Sequence, residues 1–290
     1  MNALSTPRWG SFRINTLKSS FADIAGELHD KGIHVEPYEW IENVYTFSRD
    51  DEYALKGTRV FYDGKIYLQS LASLLPVLVL APKPGQSILD VCAAPGSKTT
   101  QLAAVTSNNA SITALEQNQI RYDKLMYNAR MQWATAIEGV KTDARKYLSI
   151  TERVFDKILL DAPCSAEGRI FVPNEKTYGF WSLANIREKS ELQYSLLSLA
   201  VKCLKKWATL VYSTCTLAPE ENEGVVSRVL AENPHLSLES IDIWLGHKPW
   251  WREGLVSFEN ESYGENIKKA VRILPSDETE GFFLVKIVYQ

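Results

Sequence analysis

From about residue 84 onward, short apolar runs alternate with amphipathic stretches of helical period. A chain patterned that way has one ready solution, a parallel sheet carrying helices on both faces. Residues 87–92 read as the first strand, broken by Pro95-Gly96 before a helix over 98–105. Residues 111–115 form the second strand and end at Glu116. Asn118 is placed to cap a helix reaching about Trp133, with Tyr122, Leu125, Met126 and Ala129 on its apolar side. Strands three to five fall at 136–140, 155–161 and 208–213, with a long amphipathic helix at 185–204. Pro219 suits the first position of the next helix, and 282–288 closes the chain as a last strand. The class expected is α/β, a doubly wound Rossmann-like sheet.

Residues 1–65 have weaker periodicity, with a helix over 21–31, and read as a small N-terminal α/β domain. The main domain then runs over 66–290, opening with a helix at 66–82. Residues 244–270, which hold Trp244, Trp250, Trp251 and Gly264, read as a long irregular insertion. At 290 residues and 45% apolar, the chain buries ample core. No apolar run approaches the roughly 20 residues of a membrane helix; the best, at 71–81, is short and contains Pro76. Residues 1–15 lack the apolar core of a secretory signal, so a cytoplasmic protein is expected, as a monomer and away from membranes.

In open α/β sheets ligands bind beyond the carboxyl ends of the strands. Strand one runs into Cys92-Ala93-Ala94-Pro95-Gly96-Ser97-Lys98, where small residues let backbone approach a ligand and a helix start offers free N–H groups. It is no phosphate-binding P-loop, because Ser97 intervenes between Gly96 and Lys98, and no dinucleotide fingerprint, because only one glycine is present. Glu116, ending strand two, is placed for ribose hydroxyls, and Asp143, just past strand three, for an adenine amino group. Either carboxylate alone is unremarkable on a strand end. Together with the small-residue loop they suggest an adenosine ligand without phosphates, and S-adenosylmethionine fits.

The cysteines are Cys92, Cys164, Cys203 and Cys215, with no C-x-x-C pair, so no metal site is expected. An intracellular cysteine is by default a small buried hydrophobe. Cys164 and Cys215, however, follow strands four and five, side by side on the ligand edge. A thiolate is the nucleophile for an electron-poor ring. Its formation is hindered by a nearby carboxylate such as Asp161, which a cation such as Lys98 would offset.

The net charge of −3 lacks the basic footprint of a nucleic-acid enzyme. The average hides a division: residues 140–210 hold 12 basic against 8 acidic residues, and 211–290 hold 7 against 13. The basic segment contains Asp161 and Cys164, so a positive surface is expected around the pocket, with the acidic C-terminal third facing elsewhere.

On Leu89-Asp90 through Thr99, Asp161-Ala162-Pro163-Cys164, Ser213-Thr214-Cys215-Thr216, the Pro219-Glu220-Glu221-Asn222-Glu223 block and Gly281-Phe282-Phe283, the chain resembles the RNA (cytosine-5) methyltransferases of the Sun/Nop family. The resemblance runs over nearly the whole length and begins at Phe12-Arg13-Ile14-Asn15. It implies transfer of a methyl group from S-adenosylmethionine to carbon 5 of a cytosine in structured RNA, ribosomal or transfer. By resemblance Cys215 is the nucleophile at ring carbon 6. Asp161 hydrogen-bonds the base at its ring nitrogen, Cys164 assists loss of the carbon-5 proton or release of the adduct, and Lys98 faces the base. The segment from Cys92 to Lys98, with Glu116, Asp143 and Asp161, binds cofactor.

Two departures from the family stand out. Ser97 replaces a usual glycine, and Lys205-Lys206-Trp207-Ala208 stands where a Pro-Gly-Gly turn is common, so that turn is expected to be reshaped. The extra RNA-binding modules of many relatives have no room in 290 residues. RNA contact would fall to residues 1–65, the basic segment and Trp250 and Trp251 as stacking platforms or, alternatively, as loop packing. Two other functions fit the fold. One is a non-catalytic RNA-binding assembly factor, for which a missing cysteine would be the mark. The other is a methyltransferase for small molecules or proteins, which the thiol pair opposes.

Overall fold

The computed structural model describes residues 3–241 and 248–290. Trp244 lies outside them. Helices are α1 (Ala22–Asp30), α2 (Glu52–Lys56), α3 (Arg59–Tyr62), α4 (Leu71–Leu80), α5 (Ser97–Val105), α6 (Gln119–Met131), α7 (Ala144–Ile150), α8 (Leu183–Ala200) and α9 (Glu223–Glu232). The first sheet is antiparallel, in the order β2 (Val35–Pro37), β3 (Val44–Phe47), β1 (Gly10–Ile14) and β4 (Ile66–Leu68). The segment expected as one helix over 66–82 therefore begins as this sheet's edge strand, and α4 starts only at Leu71. Alternation decides the point: Ile66 and Leu68 pack with Phe12, Ile14, Ile24 and Phe47 in that sheet's own core.

The central sheet is built on β5 (Ser87–Asp90), β6 (Ser111–Glu116), β7 (Ile137–Lys141), β8 (Phe155–Asp161) and β9 (Leu204–Thr214). These are parallel, in the order β7-β6-β5-β8-β9, as the strand–helix alternation requires. β15 (Phe282–Tyr289) then pairs antiparallel with β9, followed by β14 (Val271–Ile273) and β11 (Trp251–Glu253), while β10 (Leu236–Glu239) pairs with β15. Both faces are covered. Leu89, Leu160, Tyr212 and Phe283 face α8 and α9, whereas their neighbours Ile88, Leu159, Val211 and Leu284 face α4 and α5. This period-two alternation between two helix layers makes the sheet doubly wound. No helix among the described residues is long and apolar enough to cross a membrane.

Three expectations along the chain need correction. β9 does not begin after a turn at 205–208 but absorbs it: while Phe155 pairs with Leu204, Lys157 pairs with Thr209, and the surplus residues bulge with Trp207 left-handed at φ 67°. Pro219 does not open α9, which starts at Glu223; a tight turn from Pro219 intervenes, with Asn222 N–H donating to its carbonyl. The segment after 248 is less irregular than expected. It supplies β11 and a hairpin of β12 (Ser257–Phe258) and β13 (Glu261–Ser262), and Trp250 is buried among Val271 and Ile273, unable to act as a stacking platform.

Candidate active site

The strand order reverses between β5 and β8, and a ligand crevice is expected at such a switch point. A cavity of about 540 Å³ opens there. Its walls include Cys92, Ala93, Ala94, Pro95, Ser97 and Lys98 from the loop after β5, Asp161 and Cys164 after β8, and Cys215 after β9. Gly96 is not on the wall. It holds the loop at φ 106° against Leu125, so its part is in the backbone turn. Glu116 and Asp143 line a smaller adjoining recess, which Cys92 and Arg121 share with the main cavity.

At the β8–β9 ends, Cys164 Sγ and Cys215 Sγ are 3.2 Å apart. The two thiols are driven in opposite directions. The hydrogen bond between them lowers Cys215 and raises Cys164, which favours Cys215 as the thiolate of the pair. The Arg169 guanidinium also favours the Cys215 thiolate, against the burial that opposes it. The cation acting on the thiol is thus Arg169 and not Lys98. Lys98 Nζ donates to Asp161 Oδ2 at 2.6 Å and to Ser73 Oγ at 2.8 Å, while Ser213 Oγ donates to the other Asp161 oxygen at 2.8 Å. Arg169 in turn donates to Glu280 at 3.1 Å, and Ser70 Oγ holds the second Glu280 oxygen at 2.6 Å. Glu280 belongs to the acidic C-terminal third, so that segment reaches into the cavity instead of facing away from it.

The cysteine loops are fixed by the motif residues around them. Glu221 is buried and accepts from Ser165 N–H at 3.0 Å and Gln193 Nε2 at 2.7 Å, tying the Cys164 loop to the segment after Cys215. Thr214 Oγ1 donates to Asn222 Oδ1 at 2.6 Å, and Asn222 Nδ2 to Thr216 O at 3.1 Å. Glu223 pairs with buried Arg272, both oxygens at 2.7 Å. Gly168 N–H donates to Cys215 O at 3.0 Å and Gly281 N–H to Gly168 O at 2.9 Å; a Cβ on either glycine would collide with the other's backbone. Three distant motifs therefore meet through main chain.

At the β5–β7 ends, the loop is held from α6: Arg121 Nη2 donates to Ala94 O and Asn128 Nδ2 to Pro95 O, both at 2.8 Å. Glu116 is buried, accepts from Asn118 N–H at 2.8 Å and lies 3.4 Å from Arg121. Asp143 caps α7 and is chelated by Arg145 (2.8 Å to N, 2.7 Å to Nη2), whose hydrogen bonds lower its carboxyl below the usual carboxylate value. Burial pushes the Cys92 thiol up, leaving it protonated and unreactive. Asp90, also on the cavity wall, is fully buried, and desolvation raises it to about 7 despite a 2.7 Å hydrogen bond from Thr99. The sequence reading missed Asp90, Arg121, Arg169 and Glu280. Asp90 and Glu280 each adjoin motif residues and were within reach; the two arginines come from a helix and a loop whose approach needs the fold.

Residues 77–288 match the family model described as 16S rRNA methyltransferase RsmB/F. The chain belongs to this family, the Sun/Nop group. Within the family's range of relatives, it is 38% identical over 288 residues to a tRNA (cytosine(49)-C(5))-methyltransferase of Pyrococcus abyssi, covering 98% of this chain and 89% of that protein. It is 36% identical over 225 residues to ribosomal RNA small subunit methyltransferase F of Aeromonas hydrophila, covering 76% of this chain but only 47% of the relative. The crystal structure of NSun6 from Pyrococcus horikoshii with SFG superposes with a TM-score of 0.84 at 25% identity, over 99% of this chain and 92% of that one.

Proposed function

We propose that this chain methylates carbon 5 of a cytosine in RNA, with S-adenosylmethionine as methyl donor. The observation that carries the reading is the 3.2 Å contact of Cys164 and Cys215 on adjacent strand ends, in surroundings that raise the first thiol and lower the second. A small-molecule methyltransferase has no use for such a pair, and an assembly factor has no need to tune it.

The cofactor reading is supported by the walls at the β5–β7 ends. Small residues (Ala93, Ala94) line the cavity and no glycine-rich cradle for phosphates is present. The segment from Cys92 to Lys98, with Asp161, would hold the methionine end; Glu116 would take the ribose hydroxyls and Asp143 the adenine. When bound, S-adenosylmethionine supplies an electrophilic methyl group. NSun6 of Pyrococcus horikoshii, solved with SFG, an analogue of that cofactor, adds to this reading.

The chain's own residues then act as follows. Cys215, as thiolate, bonds to ring carbon 6 and makes carbon 5 nucleophilic. Asp161, held by Lys98 and Ser213, hydrogen-bonds the base at its ring nitrogen, with the proton taken up there passed from Lys98 Nζ through Asp161 and returned when the adduct breaks down. The charge of Arg169 favours the thiolate before attack. Cys164, its own proton passed to solvent once Cys215 has bonded to the base, takes the carbon-5 proton as departure of Cys215 from carbon 6 restores the pair. The base has to leave any stack to reach the cavity, at a few kcal/mol, so an unpaired or mismatched cytosine is the favoured substrate. Residues of the first sheet contribute RNA contact.

The test is incubation of the chain with labelled S-adenosylmethionine and transfer and ribosomal RNA, followed by nucleoside analysis. 5-Methylcytosine is expected, at one or few positions. Label in another nucleoside, or in no RNA, contradicts the reading.

A further inference from the structure

Trp133 is misplaced in two respects. It stands just past the end of α6 with left-handed backbone at φ 55°, a position that suits glycine and strains a bulky residue. It is also 59% exposed, so little core packing offsets that strain. Its ring lies 4.4 Å from Lys18 Nζ. Both residues line a hollow of about 460 Å³ with Tyr62 and Lys65. Tyr62 and Met131 extend this hollow into a second, of about 390 Å³, which also takes in Tyr127 and ends at Tyr67 and Leu68. Tyr67 and Leu68 are themselves walls of the cavity that holds Cys215. Three hollows that share aromatic wall residues in succession thus lead from the cysteine pair, between α6 and the first sheet, to Trp133.

We propose that this path binds the single-stranded RNA next to the target cytosine, with Tyr62, Tyr127 and Trp133 stacking bases and Lys18 and Lys65 meeting phosphates. The proposal rests on the reading of the chain as an RNA methyltransferase. Three observations select RNA as occupant. Exposed rings in series are what sequence-tolerant base stacking requires. Lysines interleave with the rings; of the two carboxylates on the path, Glu52 is engaged by Arg49 and Lys56, at 2.8 and 2.6 Å, and Asp63 sits beside Lys18, which donates to its carbonyl. The path also adjoins the cavity where the base must be placed, sharing Tyr67 and Leu68 with it. Trp207 is a built-in control. It too is left-handed, exposed and close to a lysine, with Lys206 at 5.1 Å, but it sits in the bulge at the far end of β9 from Cys215 and lines none of the three hollows.

The test uses the full chain, a fluorescein-labelled 12-nucleotide single-stranded RNA with a central cytosine, and bulk transfer RNA as second probe. W133G, Y62A and Y127A should each weaken binding, W133G by roughly tenfold, as expected for loss of one stacked base. For W133G, the KM for RNA rises while kcat and the KM for S-adenosylmethionine hold. Because glycine suits φ 55°, the Tm of W133G should not fall. K18A and K65A should each reduce the slope of log affinity against log salt by about 0.7. W207G should bind as the unaltered chain does. Binding of W133G and both tyrosine variants within twofold of the unaltered chain overturns the track while leaving the activity reading intact. A Tm fall of several degrees in W133G also overturns it, since the ring then serves the fold. Affinity for the 12-mer lost without any change in RNA KM overturns the placement beside the target cytosine, since the rings then hold RNA outside the reacting complex. Failure of the unaltered chain to bind or methylate any RNA overturns both readings together.

Discussion

The two halves of the catalytic edge are organised differently. At the β5–β7 ends, the carboxylates Glu116 and Asp143 are tied to backbone N–H groups and to Arg121 and Arg145 on the helices they precede, so their orientation is a by-product of local capping. At the β8–β9 ends, almost every functional group is held by another side chain from a distant segment: Cys164 by Cys215, Asp161 by Lys98 and Ser213, Arg169 by Glu280. The first arrangement fixes a binding surface with little tuning. The second sets proton positions, because moving any one member changes the field on the rest.

Substitutions on the β8–β9 side should therefore act on rate and pH profile, and those on the β5–β7 side on binding and stability. Cys215→Ser should lower methyl transfer by more than ~10³-fold, since a hydroxyl of much higher pKa replaces the thiolate, with cofactor affinity unchanged by calorimetry. Arg169→Gln comes next. The lowered Cys215 loses its cation, so the acid limb of kcat/KM moves to higher pH and activity at pH 7 falls by roughly tenfold, a loss recovered as the pH is raised. Recovery absent at high pH would place Arg169 outside the tuning of the thiol.

On the other side, Glu116→Gln should weaken S-adenosylmethionine by about tenfold, the loss of a charge-assisted hydrogen bond, and leave the pH profile in place. Asp90→Asn should show in the pH dependence of stability. The Asp90 carboxyl is raised on folding from 3.8 to about 7, so protonated Asp90 favours the folded chain at low pH. That contribution is complete below about pH 4, declines as pH rises, and is lost above about 7. Unaltered protein should therefore lose stability relative to Asp90→Asn between these limits, by roughly 2–4 kcal/mol in total, read as a divergence of Tm with pH. A constant difference would mean that Asp90 does not titrate there.

Much of this was legible in the sequence where local rules govern. Asn118 caps α6, with its side chain accepting from Arg121 N–H, and Phe155–Asp161 is a strand over the expected residues. The adjacency of Cys164 and Cys215 followed from strand order in a doubly wound sheet. What escaped depended on pairings across the chain. Ile66–Leu68 looked helical because its strand partner, β1, lies over fifty residues upstream in sequence. In the sequence Lys98 is an example of a cation that would offset the carboxylate near the thiols, while the charge that favours the Cys215 thiolate comes from Arg169, on a loop closed by Gly168 and Gly281. The acidic C-terminal third was expected to face away, yet the sheet order puts β15 beside β9 and so carries Glu280 to the cavity. Net charge per segment does not encode which side chains converge.

The division of labour between the two cysteines is tested most directly by intact-mass analysis of Cys164→Ala after incubation with methylatable RNA and S-adenosylmethionine. The expected result is a stable covalent protein–RNA species, mapped by peptide sequencing to Cys215, and absent from Cys215→Ala and from the double variant. An adduct on Cys164 in the Cys215→Ala protein, or full turnover by Cys164→Ala with no trapped species, would contradict it.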